Sequence, residues 1–135
     1  ATTTTTAPDS TPPTFIQQSA VPDHIWEQDS PPDSLFCPPA YPRQSAISAT
    51  VTDNVAVTLV TASWQFSGDP VTTVTMTPSG SVYSASFGPF PYETVPSVLP
   101  YDNPITITIR ARDAAGNQAS RTVVVTVTST ASCLG

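Results

Sequence analysis

The chain has 135 residues, 39% of them apolar and only 10% charged, with a formal net charge of -6. That length supplies one domain with a modest core between two packed layers. The acidic balance argues against nucleic acid, whose phosphates need clustered cations, and against anionic lipid surfaces. All four cationic residues are arginine (Arg43, Arg110, Arg112, Arg121) and lysine is absent, so the surface must be built mostly of Thr, Ser, Gln and Pro. No apolar run approaches the roughly 20 residues that span a bilayer, so no membrane insertion is expected in this segment. The chain lacks an initiator Met and a signal-peptide pattern, which suggests a mature product or a segment of a longer protein.

Residues 1–13, ATTTTTAPDSTPP, hold no apolar side chain larger than Ala and cannot offset their ordering entropy by burial. They read as a Thr/Pro-rich linker, open to O-glycosylation on Thr2 to Thr6, with an anchor or domain upstream; residues 14–135 read as the folded domain. Phe15 to Gln18 is expected as an edge strand. From Ala20 to Pro42 recurrent prolines rule out a long helix and any central strand, so this segment crosses an edge or pole of the fold, pinned by Ile25, Trp26, Leu35 and Phe36. Ile47, Ala49 and Val51 alternate with Ser48, Thr50 and Thr52, a strand that ends at Asp53-Asn54. Val60, Ala62, Trp64 and Phe66 alternate with Thr61, Ser63 and Gln65 in the next. Val74 and Met76 mark another strand, turned at Pro78-Ser79-Gly80, with Tyr83, Ala85 and Phe87 in its partner. Gly88 to Pro104 is a proline-rich crossover between sheets.

The clearest stretch is Ile105 to Thr128. Ile105, Ile107, Ile109 and Ala111 alternate with polar residues, and Val123, Val125 and Val127 repeat the pattern. Asp113-Ala114-Ala115-Gly116-Asn117 fits a five-residue hairpin loop, with Gly116 in the left-handed conformation. A loop over 113–117 sets Ile107 against Val123 and Ile105 against Val125, the register that also aligns the apolar faces. About seven short strands with no helical period predict an all-β, antiparallel immunoglobulin-like sandwich with Greek-key connections, the last two strands sharing a sheet with the Trp64 strand. Cys37, before the first long strand, and Cys133, after the last, fall at one pole of such a sandwich. A bridge between them would close a loop of about 96 residues; two unpaired thiols are the alternative.

Ala49-Thr50-Val51-Thr52-Asp53-Asn54-Val55-Ala56-Val57 and Ala111-Arg112-Asp113-Ala114-Ala115-Gly116-Asn117 resemble the bacterial immunoglobulin-like modules of secreted and cell-surface proteins, in which such phrases open the second-to-third strand connection and form the last hairpin. Asp9-Ser10-Thr11-Pro12-Pro13 is similar to the lead-in of such modules. The resemblance covers residues 11–133 and implies the sandwich fold, a spacer, adhesion or ectodomain role, and an extracellular or cell-surface location. The lysine-free, Thr/Pro-linked composition resembles that of a high-GC actinobacterial surface protein. Lysine's absence removes the Lys–Asn isopeptide crosslink that similar modules sometimes contain.

Three sets of residues are candidates for function. Asp53, Asn54, Asp113 and Asn117 lie in two loops at one pole, where Asp9 also enters, and such convergent oxygens are a candidate calcium site. The commoner use of Asx residues in turns is to cap their own backbone amides. Trp26, Phe90, Tyr92 and Tyr101, with Tyr41, are candidates for a binding face at the opposite pole, or else plug the bottom of the sandwich. His24 is the only histidine, and beside Asp23 it is the one available base for a serine nucleophile, a weak basis for an enzyme. No Cys or His spacing fits zinc, and no cofactor other than calcium is indicated. The expected function is a non-catalytic extracytoplasmic module, a spacer or a binder of a protein or cell-surface glycan; the alternative is a fibre subunit whose Thr2 to Thr6 run pairs with the next copy.

Overall fold

In the computed structural model, residues 8–29 and 37–133 are described. Leu35, Phe36 and the Thr2–Thr6 run lie outside them. Nine strands follow in order: β1 (Thr14–Val21), β2 (His24–Trp26), β3 (Ser45–Thr52), β4 (Val57–Trp64), β5 (Thr72–Thr75), β6 (Thr77–Ser79), β7 (Val82–Phe87), β8 (Asp102–Asp113) and β9 (Gln118–Thr128), closed by a 3-10 turn at Thr130–Cys133. They form a four-stranded sheet in the order β1-β3-β7-β6 and a five-stranded sheet in the order β2-β9-β8-β4-β5. The chain changes sheet after β1, β2, β3, β5 and β7, the Greek-key arrangement of an immunoglobulin-type sandwich, and β8 and β9 share the sheet of the Trp64 strand.

The hairpin has the expected register, with Ile107 opposite Val123 and Ile105 opposite Val125. Gly116 takes φ +91° in its loop, and Asp113 N–H donates to the Asn117 carbonyl at 3.0 Å. Inward residues of β3, β4, β8 and β9 interlock between the sheets, among them Ile47, Val60, Ile107, Ile109 and Val125, each no more than 1% exposed. Trp64 meets Phe87 edge-on at 5.0 Å, a geometry that favours the ring quadrupoles.

Two features differ from expectation. The sandwich is not antiparallel throughout, because β2 pairs parallel with β9. At Pro22 the chain leaves the first sheet, and the carbonyl of Asp23 accepts from Thr126 N–H at 2.9 Å, capturing the continuing chain on the far edge of the second. Further, the stretch around Val74 and Met76 is two strands in different sheets: β5 pairs with β4, whereas β6 pairs with β7. The switch falls at Met76, whose N–H donates to Val60 O at 2.8 Å and whose side chain is 1% exposed. Pro78 and Ser79 therefore lie in a short edge strand, where a missing N–H is tolerated, and the turn follows at Gly80, with φ +62°.

Cys37 and Cys133 form a disulfide, with Cα atoms 5.2 Å apart and 96 residues of sequence separation. In the chain-entropy model such a loop contributes about 4–5 kcal/mol, and the bond implies a non-reducing environment. It lies at the pole where β9 ends. The other pole collects the β3–β4 turn and the β8–β9 loop, joined by Ala114 N–H to Ala56 O at 3.2 Å, and because Thr14 pairs with Thr52 the lead-in to β1 arrives there too.

Candidate metal centre

Three aspartates from three separate segments meet at that pole. Asp9 comes from the lead-in, Asp53 from the turn after β3 and Asp113 from the end of β8, and one oxygen from each lies within 4.8 Å of the others. Calcium–oxygen distances run about 2.3–2.6 Å, so two ligands on opposite sides of one ion stand roughly 5 Å apart. The span therefore fits a single coordination sphere.

The three side chains cap their turns, and each does so with only part of its capacity. Asp9 Oδ1 accepts from Thr11 N–H at 3.0 Å. Asp53 Oδ2 accepts from Val55 and Ala56 N–H at 3.1 and 3.2 Å. Asp113 Oδ1 accepts from Ala115 and Asn117 N–H at 3.0 and 2.8 Å. The remaining oxygens of Asp9 and Asp53, Oδ2 and Oδ1, are shielded from solvent without a hydrogen-bond partner. A buried anionic oxygen in that state is costly unless a cation meets it. Among the described residues the one ion pair is Arg43 with Asp29, so no arginine neutralises the three carboxylates.

Asn117 ties the lead-in to the hairpin: its side-chain N–H2 donates to Asp9 O at 2.9 Å and to Asp113 Oδ2 at 3.0 Å. Burial pushes the Asp113 carboxyl up, but hydrogen bonds from the Asn117 side chain and from Asn117 and Ala115 N–H outweigh it and hold the group below the ordinary carboxylate value. The sequence-expected set is thus brought together through Asp53, Asp113, Asn117 and Asp9, while Asn54 stands exposed at the turn. Three hard carboxylates and no nitrogen or sulfur suit Ca²⁺, with backbone or water oxygens completing its six to eight ligands.

At the opposite pole the expected aromatics separate. Phe90 turns into the core against Phe66, Phe87 and Trp64, at 4.9, 4.7 and 6.5 Å. Tyr92 is half-buried and its hydroxyl accepts from Ser97 at 3.5 Å. Trp26, Tyr41 and Tyr101 line one cleft with His24. His24 Nε2 is 2.6 Å from Thr128 Oγ1, which donates to Asp102 Oδ1 at 2.6 Å.

Sequence reasoning missed Glu27, whose side chain has no exposure. Its Oε2 accepts from Glu93 N–H at 3.0 Å and its Oε1 from Val95 N–H at 3.2 Å, with a further backbone bond from Thr130. Desolvation dominates these bonds and raises the Glu27 carboxyl above its ordinary value. One acid after Ile25-Trp26 in a proline-rich segment carries no pattern that marks it as buried. Comparison of the chain with protein-family models, curated proteins and solved structures returns no match.

Proposed function

We propose that this chain is a non-catalytic, extracytoplasmic immunoglobulin-like module that acts as a spacer, with its lead-in locked onto the sandwich by Ca²⁺. The observation that carries the reading is the meeting of Asp9, Asp53 and Asp113 within one coordination sphere, with two shielded oxygens unpartnered. Asp9 belongs to the lead-in and the other two to the sandwich, so an ion held by all three fixes the direction in which the chain enters the domain. Binding free energy then becomes orientation, which is what a spacer needs and a flexible tether lacks. The disulfide agrees with an oxidising compartment. His24 is stacked on Trp26 and hydrogen-bonded to Thr128, an arrangement that holds the ring rather than presenting it to a nucleophile.

Calorimetric titration of the purified chain with CaCl2, beside MgCl2, tests this. One Ca²⁺ per chain is expected, with Mg²⁺ much weaker because a wide, partly solvated carboxylate cage does not impose the tight octahedron Mg²⁺ needs. Asp53→Asn removes a charge while retaining an oxygen for the turn, and should weaken binding by at least tenfold. Amide resonances of Asp9, Ser10 and Thr11 should become better dispersed, with a raised heteronuclear NOE, on saturation. No calcium heat, or equal binding by Asp53→Asn and the parent chain, would remove the reading.

A further inference from the structure

The end of the sandwich away from the carboxylates holds a cleft of about 550 Å³, within the range of small-molecule sites. A ladder of three rings forms its wall. His24 stacks on Trp26 with centroids 4.1 Å apart and planes 18° apart, and Trp26 meets Tyr41 at 4.5 Å and 36°. Tyr41 is 38% exposed, and Leu99, which also lines the cleft, is 78% exposed. The aromatic wall therefore reaches solvent instead of closing on the core.

The polar side of the cleft is ordered for accepting hydrogen bonds. Thr128 and Asp102 are direct cross-strand partners on β9 and β8. Thr128 has one hydroxyl hydrogen, and an ionised carboxylate can only accept, so that hydrogen goes to Asp102 Oδ1 at 2.6 Å. His24 Nε2, 2.6 Å from Thr128 Oγ1, must then be the donor in that contact. The neutral imidazole is left with Nδ1 as an acceptor, and Asp102 is exposed. Among the described residues no arginine lines the cleft.

The wall is also held in place. Trp26 N–H donates to Pro42 O at 2.9 Å. Arg43 donates to Tyr41 O at 2.7 Å, to Cys37 O at 3.4 Å and to Asp29 Oδ2 at 3.4 Å, gathering the loop that carries Tyr41. The disulfide then fastens that loop to the closing turn, whose Cys133 borders the cleft. A platform fixed before binding avoids much of the ordering cost of association.

We infer that this cleft binds a neutral saccharide. A pyranose ring has an apolar C–H face, which matches an aromatic wall, and hydroxyl donors at its edge, which match the Asp102 carboxylate and the His24 acceptor. Phosphorylated, sulfated or uronic sugars lack the cation they need here and would face Asp102. A proline-rich peptide also fits aromatic grooves, but its tertiary amides are acceptors and offer no donor to the Asp102 carboxylate or the His24 ring nitrogen. Sugar hydroxyls both donate and accept, so they meet these two groups and also the hydroxyls of Tyr41, Tyr101 and Ser132 that line the cleft.

The test follows the two tryptophan indole N–H resonances of the disulfide-intact chain on titration with cellotetraose, mannotetraose and chitotetraose, with a proline-rich decapeptide alongside. A saturable shift of Trp26 with at least one sugar is expected, while Trp64, buried in the core, stays in place and reports the fold. Tyr41→Ala and Asp102→Asn should each weaken that binding by roughly tenfold or more. Tyr41→Leu, which keeps bulk and loses the ring, serves if the alanine variant fails to fold. The inference is overturned by the absence of any sugar response, by tighter binding of the peptide, or by full sugar affinity in the Tyr41 and Asp102 variants. Repeating the titration in chelator leaves the expected result unchanged, since the carboxylates lie at the other pole.

Discussion

Replacing Glu27 by Gln changes one buried atom and tests what holds the disulfide pole together. The wild-type carboxylate has no exposure and receives N–H groups from Glu93 and Val95 on its two separate oxygens, with a backbone bond from Thr130 as well. Glutamine keeps one acceptor and puts an N–H2 where the other stood, so at least one backbone N–H loses its partner and faces a donor. An unmade bond to a buried group costs about 1–3 kcal/mol, and losing the charge weakens the bonds that remain. Against this stands the relief of burying a neutral amide in place of a carboxylate whose desolvation raises its protonation point. That relief offsets part of the cost, and we expect a net loss of about 1 kcal/mol at neutral pH, which for a domain of this size lowers Tm by roughly 3–5 °C. Calorimetry and urea unfolding of both chains at pH 7 give the number. A Glu27→Gln chain as stable as the parent would refute the reasoning, since desolvation would then cancel the backbone bonds and the carboxylate would organise nothing.

Three further expectations follow from the same geometry. Gly88 has φ +95°, and a Cβ there would stand 2.7 Å from the Arg43 carbonyl, so Gly88→Ala should destabilise by about 1–3 kcal/mol and disturb the Tyr41 loop, read by urea unfolding and Trp26 fluorescence. Cys37→Ser with Cys133→Ser should cost about 2–5 kcal/mol, and a reduced chain unfolding at the same urea concentration as the oxidised one would contradict it. Asp113 and Glu27 should tilt the stability curve in opposite senses. The lowered Asp113 group stabilises above its unfolded value of 3.8 and loses that contribution as pH falls through the lower folded value. The raised Glu27 group binds its proton more tightly when folded, so its penalty appears as pH rises from 4.5 through the folded value. Unfolding of Asp113→Asn and Glu27→Gln across pH 2–8, compared with the parent, separates the two slopes; parallel curves would refute the assignment.

The fold was legible wherever two independent signals agreed. In the β8–β9 hairpin, the five-residue loop and the alternation of Ile and Val select one register, because a slip of one residue would turn every Ile to solvent. Trp64 was legible for the same reason, standing in phase with Val60 and Ala62. The switch at Met76 was not, because a residue directed between two sheets points inward whichever sheet its neighbours join. β2 was hidden by its length: three residues between prolines carry no period, and its parallel pairing is a property of the β9 edge. Phe90 and Trp26 show the limit for aromatics in proline-rich stretches, where burial favours either ring and only the surrounding backbone decides which one turns inward.

The carboxylate pole was legible to a different depth, and the difference lies in the second oxygen. Topology alone brings the β3–β4 turn, the β8–β9 loop and the lead-in to one end, and each Asx residue has a local reason to be there as a cap. Capping and metal binding compete only if a carboxylate has a single acceptor to offer. Each of these has two, and the backbone amides of Thr11, Val55, Ala56, Ala115 and Asn117 take one oxygen per aspartate. The turns thereby hold the side chains rigid, and Asp9 Oδ2 and Asp53 Oδ1 remain shielded without a partner. Capping is thus the device that preorganises the candidate site, and a cap made of serine or threonine would hold the same turn while offering no charge to an ion.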